Sequence, residues 1–205
     1  LDLPYAMSHG LKNEGAKITA QLLETTDAME VVNEILIPAL DSAGKLFEQG
    51  KIFLPQLIQT ASVAQAAFEV IKTTLIERNA APVSRGEIVL ATVKGDIHDI
   101  GKNIVRVLLE NYGYTVLDLG RDVPCQLVAD TAKEHGVKLV GLSALMTTTL
   151  GAMEETIQLV KQSCPDCKIV VGGAVLTADY AEKIGADFYA KDAMETVAVA
   201  KEVVG

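Results

Sequence analysis

From residue 86 onward the chain alternates short apolar runs with helical stretches, and no other feature constrains its fold as much. The apolar runs are Ile88–Val93, Thr115–Leu119, Leu139–Leu142, Ile169–Val171 and a short Phe188–Ala190. Helices fill the gaps, near Gly101–Asn111, Gln126–His135, Leu150–Gln162, Ala178–Lys183 and Ala193–Val203. A strand reached through a helix returns in the same direction by a right-handed crossover, so these strands are parallel and both faces of their sheet are covered. Glycine marks the same division: four lie in residues 1–80 and twelve in residues 81–205, where they punctuate element ends.

Five such units suggest a flavodoxin-like doubly wound five-stranded parallel sheet, whose ligands bind beyond the carboxyl ends of the strands. The first half reads instead as a small antiparallel helix bundle. One helix runs from about Leu11 to Glu24, with Ile18, Leu22 and Leu23 on one side. A second opens on Asp27 and Glu30, an acidic cap that satisfies free N–H groups, and continues through Leu40 and Phe47 to Gly50, with Pro38 expected to kink or split it. The third starts near Pro55 and spaces Leu57, Ala61, Ala64, Phe68, Ile71 and Leu75 by fours and threes, which is a packing seam. Asn79-Ala-Ala-Pro82 is the expected linker, giving a helical cap over residues 1–80 and an α/β domain over 83–205.

Composition narrows the function classes. The net charge of −9 leaves no overall basic footprint for nucleic acid and opposes anionic membranes. Hydrophobic residues at 49% and charged residues at 22% are ordinary globular usage, and no apolar run approaches the ~18–20 residues of a membrane span. Three cysteines give no disulfide framework and no signal peptide is visible, so the expected location is cytoplasmic. Leu1 in place of Met suggests a piece of a longer polypeptide.

The residues that carry chemistry fall in strand-to-helix loops. The first strand runs out into Lys94-Gly-Asp-Ile-His-Asp-Ile-Gly101, which puts His98 beyond the carboxyl edge of the sheet. Asp96 is placed to bond one ring nitrogen and leave the other as a base or metal ligand. Gly95 and Gly101 allow backbone to approach a ligand closely. The plainer reading is a solvent-exposed histidine in a polar loop. A metal site of protein groups alone would need more ligands, with Asp96 and Asp99 the nearby choices; a metal that brings its own equatorial ligands would need only His98. The third strand ends in Gly141-Leu-Ser-Ala-Leu-Met-Thr-Thr-Thr149, a row of hydroxyls that by itself reads as helix capping by Thr148 or Thr149. The fourth ends in Gly172-Gly173, by itself a turn signal that leaves an opening.

Together these segments resemble the cobalamin-binding module of methionine synthases and related corrinoid methyl-carrier proteins. That family carries Asp-x-His-x-x-Gly, Ser-x-Leu and Gly-Gly in order; here they are Asp96-x-His98-x-x-Gly101, Ser143-x-Leu145 and Gly172-Gly173. Forty-one residues separate Gly101 from Ser143 and twenty-six separate Leu145 from Gly172, both as in the family. Phe47-Glu-Gln-Gly-Lys-Ile-Phe-Leu-Pro-Gln56 resembles a segment of the helical cap of the methyl-carrying branch, so the similarity spans nearly the whole chain.

The resemblance implies that cobalamin (methylcobalamin when charged) lies between cap and α/β domain, with its benzimidazole off the cobalt and its nucleotide tail in the α/β domain. It makes His98 the axial cobalt ligand, Asp96 the partner of the distal ring nitrogen, and Thr149 the relay hydroxyl where the family has serine. It assigns Ser143, Thr147, Gly172 and Gly173 to the tail and Ala193 to a further nucleotide contact. Gly95, Ile97, Asp99, Gly101 and Leu145 join them as cofactor contacts. Phe47 and Leu54 match apolar residues over the upper face of the cobalt, although bundle core explains them as well. Asn33 matches a cap position that contacts the cofactor and holds a glutamate in relatives.

The implied activity is methyl shuttling from methyltetrahydrofolate to homocysteine, as the B12 module of a methionine synthase. The alternative is a stand-alone corrinoid protein of a methanol, methylamine or methoxyaromatic methyltransferase system. In both, methyltransferase domains or subunits supply the donor and acceptor sites and a reductive activation partner is needed, with no nucleic acid and no membrane. A phosphate-accepting receiver domain shares the fold class, but it needs an aspartate where this chain has Ser143. A cobalamin-dependent mutase module shares the histidine motif, and the helical cap speaks against it. Cys164-Pro-Asp-Cys167 falls at the sheet edge opposite His98 and reads as packing or surface rather than a redox pair or half a zinc site. His9 and His135 show no partner pattern.

Overall fold

The computed structural model describes residues 2–78 and 84–205; the linker expected at Asn79–Pro82 lies outside them. The chain divides into two compact units, Leu1–Ser84 with Glu110–Gly113, and Arg85–Leu109 with Tyr114–Gly205. Among the described residues no helix is long and apolar enough to cross a membrane.

The first unit is helical: α1 (Leu3–Ser8), α2 (Lys12–Leu22), α3 (Ala28–Glu30), α4 (Ile37–Glu48) and α5 (Leu54–Glu77). The long α5 packs against α1, α2 and α4. Its apolar stripe of Leu57, Ala61, Ala64, Phe68 and Ile71 is buried, with Leu75 half-buried at the end of the seam. The helix α2 meets α5 at Gly15, where a Cβ would stand 2.5 Å from Val63 Cγ1. Close backbones favour small residues, so the buried face of α2 is Gly15 and Thr19, continued by Leu23. Ile18 and Leu22, expected on that face, sit half-buried on its flank.

Two local features differ from the sequence expectation. The short α1 was not foreseen, although its signals are present: Asp2 Oδ1 accepts the Tyr5 N–H at 2.9 Å and Pro4 occupies the first turn. Pro38 neither kinks nor splits the second helix simply. Asp27 caps it by accepting the Met29 N–H at 2.9 Å, and the chain then widens into a π-helix over Val31–Leu36, with the Ile37 N–H donating to Val32 O. A proline lacks its own N–H and crowds the carbonyl four residues back, and a wider turn relieves both.

The second unit carries β1 (Glu87–Thr92), α6 (Ile100–Asn111), β2 (Thr115–Asp118), α7 (Cys125–His135), β3 (Leu139–Ser143), α8 (Leu150–Ser163), β4 (Lys168–Gly172), α9 (Ala178–Lys183), β5 (Phe188–Tyr189) and α10 (Ala193–Val203). Each boundary falls within one residue of the sequence reading. The strand order is β2-β1-β3-β4-β5, and every pairing is parallel. Alternate residues Val89 and Ala91 of β1, Val140 and Leu142 of β3, and Ile169 and Val171 of β4 share one core with Val128 and Ala132 of α7 and Met153 and Ile157 of α8. The chain leaves β1 for β2 on one side and returns to β3 on the other. The loops after β1 and β3 therefore part at this reversal of direction, and a crevice opens at the carboxyl edge.

Candidate functional site

Beyond β1 the chain turns through Gly95, at φ +85°, and then buries Asp96 completely. A buried charge requires partners, and every acceptor position of this carboxylate is taken. Its Oδ1 accepts the His98 N–H at 3.0 Å and lies 2.9 Å from His98 Nδ1. Its Oδ2 accepts the N–H groups of Leu145 at 2.8 Å and Met146 at 3.2 Å, and Thr149 Oγ1 stands 3.0 Å away. Burial pushes the Asp96 pKa up, but the hydrogen bonds from His98, Leu145 and Thr149 outweigh it and hold the carboxyl well below the usual carboxylate range. An ionised carboxylate only accepts, so the imidazole carries a proton on Nδ1, and in the neutral ring Nε2 keeps its lone pair. The Thr149 hydroxyl also lies 2.8 Å from Met146 O, so its single proton serves one oxygen at a time.

The His98 side chain is 45% exposed and borders a cavity of about 730 Å³, within the ~300–1,000 Å³ of small-molecule pockets. The walls come from the loops after β1, β3, β4 and β5, with the apolar side chains of Leu90 and Val170. Ile97, Asp99, Gly101, Ser143, Leu145, Gly172, Gly173 and Ala193 all line it beside His98. Ser143 Oγ is also hydrogen-bonded to Thr92 Oγ1 at 2.9 Å. Thr147 and Gly95 lie outside that lining; Thr147 is exposed on the 3-10 turn Thr147–Thr149 that leads into α8. In the helical unit Phe47 and Leu54 are half-buried, and Asn33 is exposed on the π-helical turn.

The paired glycines have a backbone reason that the sequence does not display. A Cβ on Gly173 would stand 1.8 Å from Ala144 O, and one on Gly172 would stand 3.1 Å from Ala190 O. Their bareness lets neighbouring strand ends close on one another as well as opening the cavity wall.

Lys102 and Arg121, which the sequence reading does not single out, line the cavity together with Lys191, and the Lys102 side chain, 3% exposed, pairs with Asp118 Oδ1 at 2.6 Å. Lys102 follows Gly101 directly, but Asp118 ends β2, and only the pairing of β1 with β2 brings the two together.

The residues set aside also find their places. Cys167 is buried near the start of β4. Burial, with Cys164 and Asp187 nearby, pushes its thiol up to about 12, so it is an inert packing group at neutral pH. His9 stacks on Tyr5 with 3.9 Å between ring centres, and His135 Nδ1 lies 3.2 Å from Glu87 Oε2.

These residues suit a metal cofactor that brings its own equatorial ligands. The neutral imidazole has one nitrogen left to ligate at the cavity, while the adjacent carboxylate is fully engaged and has no oxygen left to ligate. Among the described residues no group of three His, Cys, Asp or Glu is placed to hold a metal ion.

Comparison with known proteins follows the division into units. A family model described as the B12 binding domain matches residues 86–198, and a second of the same description matches residues 2–72. Dimethylamine corrinoid protein 1 of Methanosarcina acetivorans is 43% identical over 180 residues, covering 87% of this chain and 84% of that protein. A cobalamin-binding protein of Desulfitobacterium hafniense superposes with a TM-score of 0.80 at 32% identity, over 99% of this chain and 97% of that one. A chain of the methanol:cobalamin methyltransferase complex of Methanosarcina barkeri gives a TM-score of 0.86 at 27% identity, over 98% of this chain and 78% of that one. With a buried carboxylate presenting one imidazole at the edge of a parallel sheet, and matches along both units, this chain belongs to the B12-binding corrinoid protein family and its cofactor is cobalamin.

Proposed function

We propose that this protein is a methyl-carrying corrinoid protein of a methylamine methyltransferase system, with His98 as the lower axial ligand of a base-off cobalamin. The observation that carries the ligand assignment is the Asp96–His98 pair: Nδ1 is held at 2.9 Å, and Nε2 is left with its lone pair beside the cavity. Bound cobalamin supplies a cobalt centre able to accept a methyl group and pass it on. The protein's part is to hold the imidazole in one tautomer and orientation, through Asp96, and to keep Thr149 as a hydroxyl on the far oxygen of the same carboxylate. Ser143, Gly172, Gly173 and Ala193 wall the cavity assigned to the nucleotide tail. In the helical unit, Phe47 and Leu54 are assigned to apolar cover of the bound cofactor and Asn33 to a further contact with it.

The donor assignment rests on relatives rather than on the site. The methionine synthase reading, with methyltetrahydrofolate and homocysteine, finds no counterpart among the relatives described above, two of which carry dimethylamine or methanol in their names. The methylamine reading is supported by 43% identity across most of both chains. Its partners are then a methyltransferase subunit that supplies the donor site, a second that supplies the acceptor, and a reductive activator.

Reconstitution of the chain with cobalamin tests the ligand. Wild type is expected to show the absorption of a histidine-bound, base-off corrinoid, and His98→Ala to retain cofactor while losing that absorption. An unchanged spectrum in His98→Ala removes His98 as the ligand. The donor is tested by offering the reduced holoprotein to a dimethylamine and to a methanol methyltransferase with their substrates; faster methylation by the methanol enzyme overturns the methylamine assignment.

A further inference from the structure

Asp122 is the one residue besides glycine, among those described, with a positive φ, +50°. That conformation is unfavourable for an L side chain, least so for Asp and Asn, and a residue held in it is a lead to function when its bonds are specific. The bonds here converge on the histidine loop. The Asp122 carboxylate accepts the Gly95 N–H at 2.7 Å, and its own N–H donates to Asp96 O at 2.9 Å. On either side, the Thr92 N–H donates to Gly120 O at 2.9 Å and the Val123 N–H donates to Thr92 O at 3.1 Å. The segment Gly120–Val123 is thus stitched to Thr92–Asp96.

Its other end is anchored too. Asp118 Oδ1 accepts the Gly120 N–H at 2.9 Å and the Lys102 ammonium at 2.6 Å, and Asp118 Oδ2 lies 3.5 Å from the Arg106 guanidinium. Lys102 and Arg106 are one turn apart on α6, the helix into which the histidine loop runs. The bonds close a ring: β1, the histidine loop, α6, Asp118, the loop after β2, and back to Gly95.

We propose that Asp122 is a positioning residue for the axial histidine, its carboxylate fixing the Gly95 amide so that Asp96 and His98 leave the end of β1 in one orientation. This rests on the reading of His98 as cobalt ligand. Among the described residues the imidazole is hydrogen-bonded to Asp96 alone, so its aim is set by the backbone that carries both residues. Asp118 and Lys102 hold the brace from behind.

The test loads the full chain with methylcobalamin, whose alkyl group weakens the opposite ligand and keeps the ratio of His-bound to His-free cofactor measurable by absorption. Asp122→Gly keeps the positive φ at no steric cost and removes the acceptor; it is expected to lower that ratio about tenfold, the scale of one charge-assisted hydrogen bond. Asp122→Asn keeps an oxygen acceptor and tolerates the same φ, and is expected to restore most of the ratio. Equal falls in Gly and Asn variants overturn the proposal, because the acceptor would then not be the cause. His98→Ala in the same series separates the two failures. If it keeps the wild-type spectrum, the ligand assignment is wrong; if it loses the His-bound form while Asp122→Gly retains the wild-type ratio, the brace alone is wrong. Hydrogen exchange at the Gly95 amide of the wild-type chain gives an independent check. Protection is expected, and exchange as fast as at the neighbouring Lys94 amide overturns the proposal.

Discussion

In the α/β unit one carboxylate, Asp96, gathers donors from the loops after β1 and β3; in the helical unit the buried hydroxyls of Thr19 and Thr60 donate only one turn back, to Gly15 O and Gln56 O. One region concentrates polar bonds between distant segments. The other buries apolar stripes, with these threonine hydroxyls bonded locally, while the Arg78 guanidinium and the Tyr112 hydroxyl each reach a single distant carbonyl, Leu23 O at 2.9 Å and Leu40 O at 3.0 Å. A long-range polar junction makes a place where chemistry can be held rigidly and where little substitution is tolerated. An apolar stripe leaves the exposed helix faces free to vary. Of the residues assigned to the cofactor in the helical unit, Asn33 lies on such a surface, while Phe47 and Leu54 are half-buried.

This contrast can be broken most sharply at Asp96. Asp96→Ala removes the acceptor of the His98, Leu145 and Met146 amides and of His98 Nδ1, leaving Thr149 only Met146 O, and is expected to destabilise the chain by about 3–5 kcal/mol in urea unfolding. A loss below about 1 kcal/mol would mean that the junction is not the rigid element. Next comes Gly173→Ala, whose Cβ would meet the Ala144 carbonyl at 1.8 Å. Backbone cannot yield as a side chain can, so a loss of about 3 kcal/mol is expected in the same assay.

The helical counterpart is Gly15→Ala. There the Cβ would meet the end of the Val63 side chain at 2.5 Å, and repacking should limit the loss to about 1–2 kcal/mol. Should Gly15→Ala prove costlier than Gly173→Ala, the helical unit is the less forgiving of the two. The smallest effect is expected at Phe53, 74% exposed, where Phe53→Ala, which adds no capping group at this helix start, should move the unfolding midpoint by the equivalent of less than about 0.5 kcal/mol. A larger shift would show that this exposed ring contributes to the unit's packing.

Much of this was legible from local signals. The α/β elements follow from apolar runs of strand length set between glycines, and their ends fall within a residue because glycines and caps act over one turn. The Leu57–Ile71 seam is legible because its 4-3 spacing is a property of α5 alone. The face of α2 was harder: hydrophobicity pointed to Ile18 and Leu22, whereas the approach of α5 selects Gly15 and Thr19, and the chain does not announce which helix comes close. The helix α1 was legible and overlooked, since an N-cap Asp2 and a first-turn Pro4 are local signals.

The sequence alone determined that a parallel sheet is present, that His98 stands at its carboxyl edge with Asp96 two residues away, and that the Ser143 and Gly172–Gly173 loops share that edge. Each follows from periodicity and from the direction in which a parallel strand must run. Only the tertiary structure decided that Asp96 is bonded across to Leu145, Met146 and Thr149, that Lys102 meets Asp118, and that Asp122 reaches Gly95. Those contacts join residues 16 to 53 positions apart. They depend on β2 and β3 lying on either side of β1, a choice of neighbours made through space by backbone pairing and side-chain packing, for which no short stretch of residues holds the information.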